Sequence, residues 1–157
     1  MAPAGSFESL AAALQGGADS VYFGIGKLNM RSRATANFAE EDLPEIVARC
    51  HETGAKAYLT LNIIVYDEEL ETVRNLCAAA KAAGVDAVIA SDLAVITHAH
   101  SIGLEVHMSV QANVCNMASV RFYAQYADVV VLARELTLGQ IRRIIDGIRD
   151  EGIRGPS

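Results

Sequence analysis

The sequence predicts an α/β protein whose core is a parallel (β/α) barrel of the TIM type, left incomplete at about five to six βα units. Three observations point there. Short valine- and alanine-rich strand segments recur along the chain, helical segments fill the gaps between them, and the strand segments alternate between two flavours. Strand and helix in alternation with short connections imply right-handed crossovers and a parallel sheet.

The first flavour is a small residue ending a helix, then an aspartate, then a valine-rich strand. It reads Gly17-Ala18-Asp19-Ser20-Val21-Tyr22-Phe23-Gly24, returns as Gly84-Val85-Asp86-Ala87-Val88-Ile89-Ala90-Ser91, and again as Tyr126-Ala127-Asp128-Val129-Val130-Val131-Leu132-Ala133. The second flavour places a glycine after the helix and a charged residue at the strand start. It is represented by Gly54-Ala55-Lys56-Ala57-Tyr58-Leu59-Thr60-Leu61-Asn62 and by Gly103-Leu104-Glu105-Val106-His107-Met108-Ser109-Val110-Gln111. Odd and even strands of a barrel fill different interior layers, so a barrel gives a reason for the alternation. A doubly wound open sheet, the alternative architecture, gives none.

The helices follow from apolar spacing. Between residues 40 and 53, Leu43, Ile46, Val47 and Cys50 recur at i, i+3, i+4 and i+7 and form one stripe. Leu70, Val73, Cys77 and Ala80 do the same between 67 and 83. Segments 8–16, 92–102 and 116–125 read as shorter helices, and a last one opens after the cap residue Thr137 and stacks Leu138, Ile141, Ile144, Ile145 and Ile148. Gly54, Gly84 and Gly103 stand where a helix end takes a left-handed residue.

Only Met1 and Ala2 precede the first turn, so the first strand is expected to be nearly missing, and the final strands of a barrel are absent after Asp150. A full barrel takes ~250 residues. The expectation is therefore one partial barrel domain over residues 1–157, forming the N-terminal part of a longer architecture. Open parallel sheets leave bare edges, and a homodimer in which two copies cover each other's edges is the alternative.

Composition narrows the function classes. With 52% hydrophobic and 20% charged residues the chain has the makings of a packed core, which argues against disorder. A formal charge of −6 and the lack of a Lys/Arg-rich run argue against strong binding to a nucleic-acid backbone, so RNA is expected as a partner only with additional domains. Cys50, Cys77 and Cys115 are odd in number and widely spaced, supporting neither a disulfide framework nor a zinc site. No apolar run approaches the ~18 residues of a membrane span, and a cytoplasmic setting without membrane contact is expected.

Barrel chemistry sits at the C-terminal ends of the strands, while the opposite ends serve stability. That rule makes Asp19, Lys56, Asp86, Glu105 and Asp128, all at strand starts, turn and cap residues. At the strand ends stand Asn29, Arg31 and Arg33, then Asn62, then Asp92, then Ser109, Gln111 and Asn113, then Arg134 and Glu135. The arginines suit bidentate binding of a carboxylate or phosphate, and the amides suit orientation of a ligand. Glu135 or Asp92 becomes a general base if its surroundings raise its pKa. The catalytic candidates are thus Arg134, Glu135 and Asp92, and the substrate-binding candidates Arg31, Arg33, Asn29, Asn62, Ser109, Gln111 and Asn113. Simpler roles compete: Asp92 opens a helical run and is equally a cap, Arg134 and Glu135 can pair with barrel neighbours, and His107 reads as a satisfied core or rim histidine.

Several blocks, in order over nearly the whole chain, carry a resemblance. They are Ala2-Pro3-Ala4-Gly5-Ser6-Phe7-Glu8, the first aspartate strand, Asn29-Met30-Arg31-Ser32-Arg33, Thr60-Leu61-Asn62, His107-Met108-Ser109-Val110-Gln111-Ala112-Asn113 and Leu132-Ala133-Arg134-Glu135-Leu136-Thr137. Together they resemble the collagenase-like U32 peptidase family. The resemblance implies a (β/α) barrel core and a peptidase, acting on a peptide or protein, whose catalytic type it leaves undefined. It also implies relatives that hydroxylate tRNA or ribosomal RNA bases or the ubiquinone ring without oxygen, in some cases with prephenate, a small carboxylate. Those relatives carry an iron–sulfur cluster on cysteines that lie beyond this region, so no cofactor is expected within this chain. Cys115 stands where relatives commonly have threonine, and one cysteine cannot hold a cluster. The expected function is a peptidase; an RNA-base or quinone hydroxylation protein and a non-catalytic barrel fragment are the alternatives.

Overall fold

The computed structural model describes residues 1–26 and 38–156. Six strands pair in the order in which they occur: β1 Ala2–Ala4, β2 Ser20–Phe23, β3 Lys56–Leu61, β4 Ala87–Ala90, β5 Glu105–Met108 and β6 Val129–Val130. Every pairing is parallel. Each crossover steps one strand further in the same direction, so right-handed connections put all helices on one face of the sheet. That is a barrel wall; a doubly wound sheet reverses direction part-way and carries helices on both faces.

The helices alternate with the strands: α1 Phe7–Gln15, α2 Leu43–Glu52, α3 Leu70–Ala83, α4 Leu93–Ser101, α5 Met117–Tyr123 and α6 Leu138–Asp150. The starts of α1, α4, α5 and α6 carry side-chain caps. Ser6 accepts a hydrogen bond from the Ser9 N–H at 3.3 Å, and Thr137 accepts one from the Gln140 N–H at 3.3 Å. Short 3₁₀ turns at Glu40–Asp42 and Asp67–Glu69 lead into α2 and α3. At the other end of α3, Gly84 takes φ 83°, a left-handed position that a side chain would strain.

Alternate strand residues sort to the two faces. Val21, Phe23, Leu59, Leu61, Val88, Val106 and Met108 pack with Leu10, Ile46, Val73 and Ile96 of the helices in one buried core. The other parity, including Tyr22, Tyr58, Ile89 and His107, occupies the face turned away from the helices and is only partly exposed. The registers align Tyr22 with Tyr58, Thr60 with Ile89 and Ile89 with His107, so this inner face is layered.

The alternation of flavours has a direct cause in hydrogen bonding. The Asp86 N–H donates to the Ala57 carbonyl at 2.9 Å, and the Ala57 N–H donates back to Asp86 Oδ2 at 2.7 Å. Asp128 repeats this on Val106, with both bonds at 2.9 Å. An aspartate strand thus clamps the start of the charged-start strand before it, β4 on β3 and β6 on β5. The pairwise clamp accounts for the alternation without invoking the odd and even interior layers of a closed barrel.

Two expectations are corrected. The first strand is present as three residues, Ala2–Ala4, paired with β2, because Pro3 and Ala4 extend before the Ser6 cap rather than joining the turn. The apolar stack on α6 is only partial: Ile144 is buried, whereas Leu138 is 85% exposed and Ile145 39%. At 100° per residue Leu138 and Ile145 share a flank that turns away from α5 and β6, against which Ile144 and Ile148 pack in a small second core.

Candidate functional site

Strands β3, β4 and β5 end at one level, and their exits build a shallow cavity of about 350 Å³ lined by Asn62, Ile63, Ile64, Ser91, Asp92 and Gln111. It lies at the C-terminal end of the parallel strands, where barrel ligands bind. A larger cavity of about 690 Å³ lies between α2 and α3, lined by Leu43, Val47, His51 and Ala79 among others. It belongs to the helix layer on the outer side of the sheet, away from every strand end. Position in the fold therefore outweighs volume, and the strand-end cavity is the candidate site.

Asn62 and Gln111 come together on this cavity, as expected of ligand-orienting amides. Ser109 is buried below the rim, and its hydroxyl donates to Gln111 Oε1 at 3.1 Å, which restrains the glutamine side chain. Asn113 is exposed and adopts φ 51°, ψ 41° at the end of the 3₁₀ turn Val110–Ala112. Asparagine tolerates that left-handed conformation better than most residues, so the turn by itself accounts for Asn113. Thr60, at the end of β3, donates to the Phe23 carbonyl at 2.8 Å and serves the sheet.

Asp92 lines the cavity, but its carboxylate is engaged. Oδ1 accepts the Ala94 N–H at 2.8 Å, capping α4, and Oδ2 accepts the Val65 N–H at 3.2 Å, fixing the loop after β3. A general base would have to surrender one of these bonds, so the geometry favours the cap. Arg134 and Glu135 are both exposed on the turn between the Val114–Leu132 bridge and the Thr137 cap, and neither lines the cavity. The shared mouth expected for Asn62, Gln111 and Arg134 therefore holds for the two amides only. Asn29, Arg31 and Arg33 lie outside the described residues.

The reading by residue type missed two lining groups, Ile63 and Ile64, and placed Ser91 at its strand end without assigning it a role. Ile64 is 73% exposed, an apolar wall beside the amides. The two isoleucines directly follow Asn62, so the signal was present but read as the end of a strand.

Among the described residues, no group of three or more His, Cys, Asp or Glu side chains is arranged to hold a metal ion. Cys50 and Cys77 are buried free thiols on the helix layer, each pushed up to about 11, chiefly by burial. Cys115 is exposed. Away from the site, Arg121 grips Glu151 through two hydrogen bonds of 2.6 and 2.5 Å, joining α5 to the end of α6 and holding the Glu151 carboxyl below its usual range. Among the described residues, no helix is long and apolar enough to cross a membrane.

Comparison with known proteins converges on one family. Residues 5–152 match Peptidase family U32. The chain is 51% identical over 156 residues to "Collagenase" of Porphyromonas gingivalis (strain ATCC BAA-308 / W83), a match covering 99% of this chain and 38% of that protein. It is 35% identical over 147 residues to "tRNA hydroxylation protein P1" of Bacillus subtilis (strain 168), covering 92% of this chain and 35% of that protein. The chain thus spans well under half the length of these curated relatives. In three dimensions it is similar to the chain in "The Structure of the U32 Peptidase Mk0906", with a TM-score of 0.74 at 15% identity, covering 92% of this chain and 63% of that one. That likeness is one of fold, and it agrees with the parallel sheet and alternating helices of an incomplete barrel. With the match running across almost all of the sequence, the chain belongs to Peptidase family U32.

Proposed function

We propose that this chain supplies the substrate-binding wall of a collagenase-like peptidase. The observation that carries the reading is the make-up of the strand-end cavity: two amides and a serine beside two isoleucines and a capped aspartate, with no lysine or arginine among its described lining residues. Amide side chains pair with peptide groups in both hydrogen-bonding directions, and isoleucines accommodate apolar side chains. An anionic ligand gains little from such a lining, and the net charge of −6 opposes a polyanion as well. The 51% identity to a protein named collagenase supports the same reading.

In this reading residues 1–157 are one partial barrel of a longer protein, and the rest of that protein covers the edges at β1 and β6. The setting is cytoplasmic, consistent with the free thiols of Cys50 and Cys77. The second reading is hydroxylation of an RNA base, and its support is the 35% identity to a tRNA hydroxylation protein. Arg31 and Arg33 would then hold a small carboxylate, and an iron–sulfur cluster would come from outside this chain.

The experiment compares both activities in one strain. The complete protein carrying this chain is incubated with gelatin, and transfer and ribosomal RNA from cells lacking the gene are examined by mass spectrometry. The peptidase reading expects new gelatin peptides and unchanged RNA. Intact gelatin together with a missing hydroxylated base would overturn it.

A further inference from the structure

Ile64 is an exposed side chain on a backbone that is fixed on either side of it. Before it, the β3–β4 ladder ends at the pair Leu61 and Ala90. After it, the Val65 N–H donates to Asp92 Oδ2 at 3.2 Å, the Val65 side chain packs on the main core, and the Tyr66 N–H donates to Glu69 Oε2 at 3.0 Å. The side chain is also β-branched, so its own χ1 freedom is small. A single exposed apolar residue is ordinary. Here the Asp92–Val65 bond ties together two segments that carry three of them: Ile64 and Tyr66 on the loop after β3, and Leu93 at the start of α4.

The two amides stand on the same cavity. Gln111 is restrained by Ser109, whose hydroxyl donates to Oε1 at 3.1 Å, so the Nε2 hydrogens remain for a ligand carbonyl. The cavity volume of about 350 Å³ lies at the lower end of the ~300–1,000 Å³ of small-ligand sites, room for one side chain and its flanking peptide groups rather than for a folded segment. An amide that holds a peptide group beside an apolar wall brings the neighbouring side chain against that wall. Because the wall is fixed beforehand, little ordering entropy is lost on contact. A polar or charged side chain in the same place gives up water without gaining a partner, so the wall selects against it.

We infer that Ile64 is the specificity-determining residue of the site, selecting peptides with an apolar side chain of the leucine class next to the peptide group held by Gln111, an inference that rests on the peptidase reading and names the side chain it prefers. The occupant of the wall is the substrate rather than another part of the longer protein, because the wall is continuous with the site: Ile64 lines the cavity together with Asn62 and Gln111.

The test uses the complete protein as wild type, Ile64→Ala and, as a control on the outer flank of α6, Ile145→Ala. Cut sites in gelatin are mapped by mass spectrometry, and kcat/KM is measured for a synthetic peptide around the main cut and for its analogue with glycine in place of the apolar residue. Wild type is expected to favour the apolar peptide about tenfold and Ile64→Ala about twofold, less than the ~200-fold an enclosed pocket can reach, because the wall is open. Ile145→Ala is expected to keep the wild-type ratio. The same proteins titrated with fluorescein-labelled nonapeptides of glycine and alanine, carrying a central leucine or a central glycine, read the preference by anisotropy without any cleavage. Circular dichroism checks the fold, and Ile64→Thr, which keeps the branch at Cβ, takes the place of Ile64→Ala should that variant unfold. Cleavage without an apolar preference, or a preference that Ile64→Ala leaves at the wild-type ratio, overturns the inference and leaves the peptidase reading intact. The second of these results joined to a lower Tm in Ile64→Ala assigns the wall to the rest of the longer protein instead. A wild type that cleaves no gelatin overturns the peptidase reading. The wall is then judged on binding alone: a leucine preference lost in Ile64→Ala supports it, and equal binding of the two nonapeptides overturns it.

Discussion

Replacing Asp86 with alanine removes the clamp that starts the β3–β4 ladder, and its cost follows from the bonds it makes. Oδ2 accepts the Ala57 N–H at 2.7 Å and meets His51 Nε2 at 2.9 Å. Ala57 is fully buried, so its N–H would lose its partner in a place where replacing that bond with water requires opening the strand start. An unpaired buried donor costs about 1–3 kcal/mol. The His51 side chain is 46% exposed, and its contribution is about 0–1 kcal/mol after screening by solvent. Asp86→Ala is therefore expected to destabilise the chain by about 2 kcal/mol, or roughly 4–8 °C in Tm for a domain of this size. Urea unfolding followed by circular dichroism measures the loss, and His51→Ala measured beside it isolates the exposed contact at no more than about 1 kcal/mol. If Asp86→Ala lies within about 0.5 kcal/mol of wild type, or if His51→Ala accounts for the whole effect, the clamp does not hold the ladder.

The remaining expectations rest on other sites. Asp92→Asn keeps an oxygen for the Ala94 N–H but turns its NH2 toward the Val65 N–H, so it should cost about 1 kcal/mol with activity retained, whereas Asp92→Ala, which loses both bonds, should cost about 2 kcal/mol; loss of turnover in a folded Asp92→Asn protein would restore this carboxylate to catalysis. At pH 8 a maleimide should label Cys115 alone in the folded chain and all three cysteines in denaturant, because burial raises Cys50 and Cys77 to about 11 and keeps them as thiols. The same shift has a stability consequence: an unfolded thiol ionises near 9.0, so the contribution of both groups is complete below that pH and is lost as pH rises toward 11. Thermal melts across this range should show the decline, and a flat profile would contradict it. In α6, an added Cβ at Gly147 would stand 2.9 Å from Met117 Sδ, so Gly147→Ala should fail to deliver the ~1 kcal/mol that helix propensity alone promises. A clear gain in Tm would show that Met117 moves aside without cost.

Much of the fold was legible because its signals are local. The apolar stripe of α2, the caps at Asp92 and Thr137, and the left-handed glycines at helix ends are all matters of a few adjacent residues. The repeated aspartate was equally visible, and its reading as a turn and cap residue agrees with the clamps on Ala57 and Val106. Which strand each aspartate would hold was not visible, since the partner lies 22 to 29 residues earlier and depends on register.

The site divides along the same line. Sequence alone determined that the strand-end polar residues would include Asn62, Gln111 and Asp92, because strand periodicity and the parallel topology fix which end of each strand they occupy. The tertiary structure decided that Asn62 and Gln111 share a cavity while Arg134 stands apart, that Asp92 spends its carboxylate on two backbone N–H groups, and that His107 meets Glu105 and Tyr58 on the inner face. Period and capping act over one or two turns of chain, whereas such pairings depend on strand register and on the direction each side chain takes, quantities set only when the whole sheet assembles.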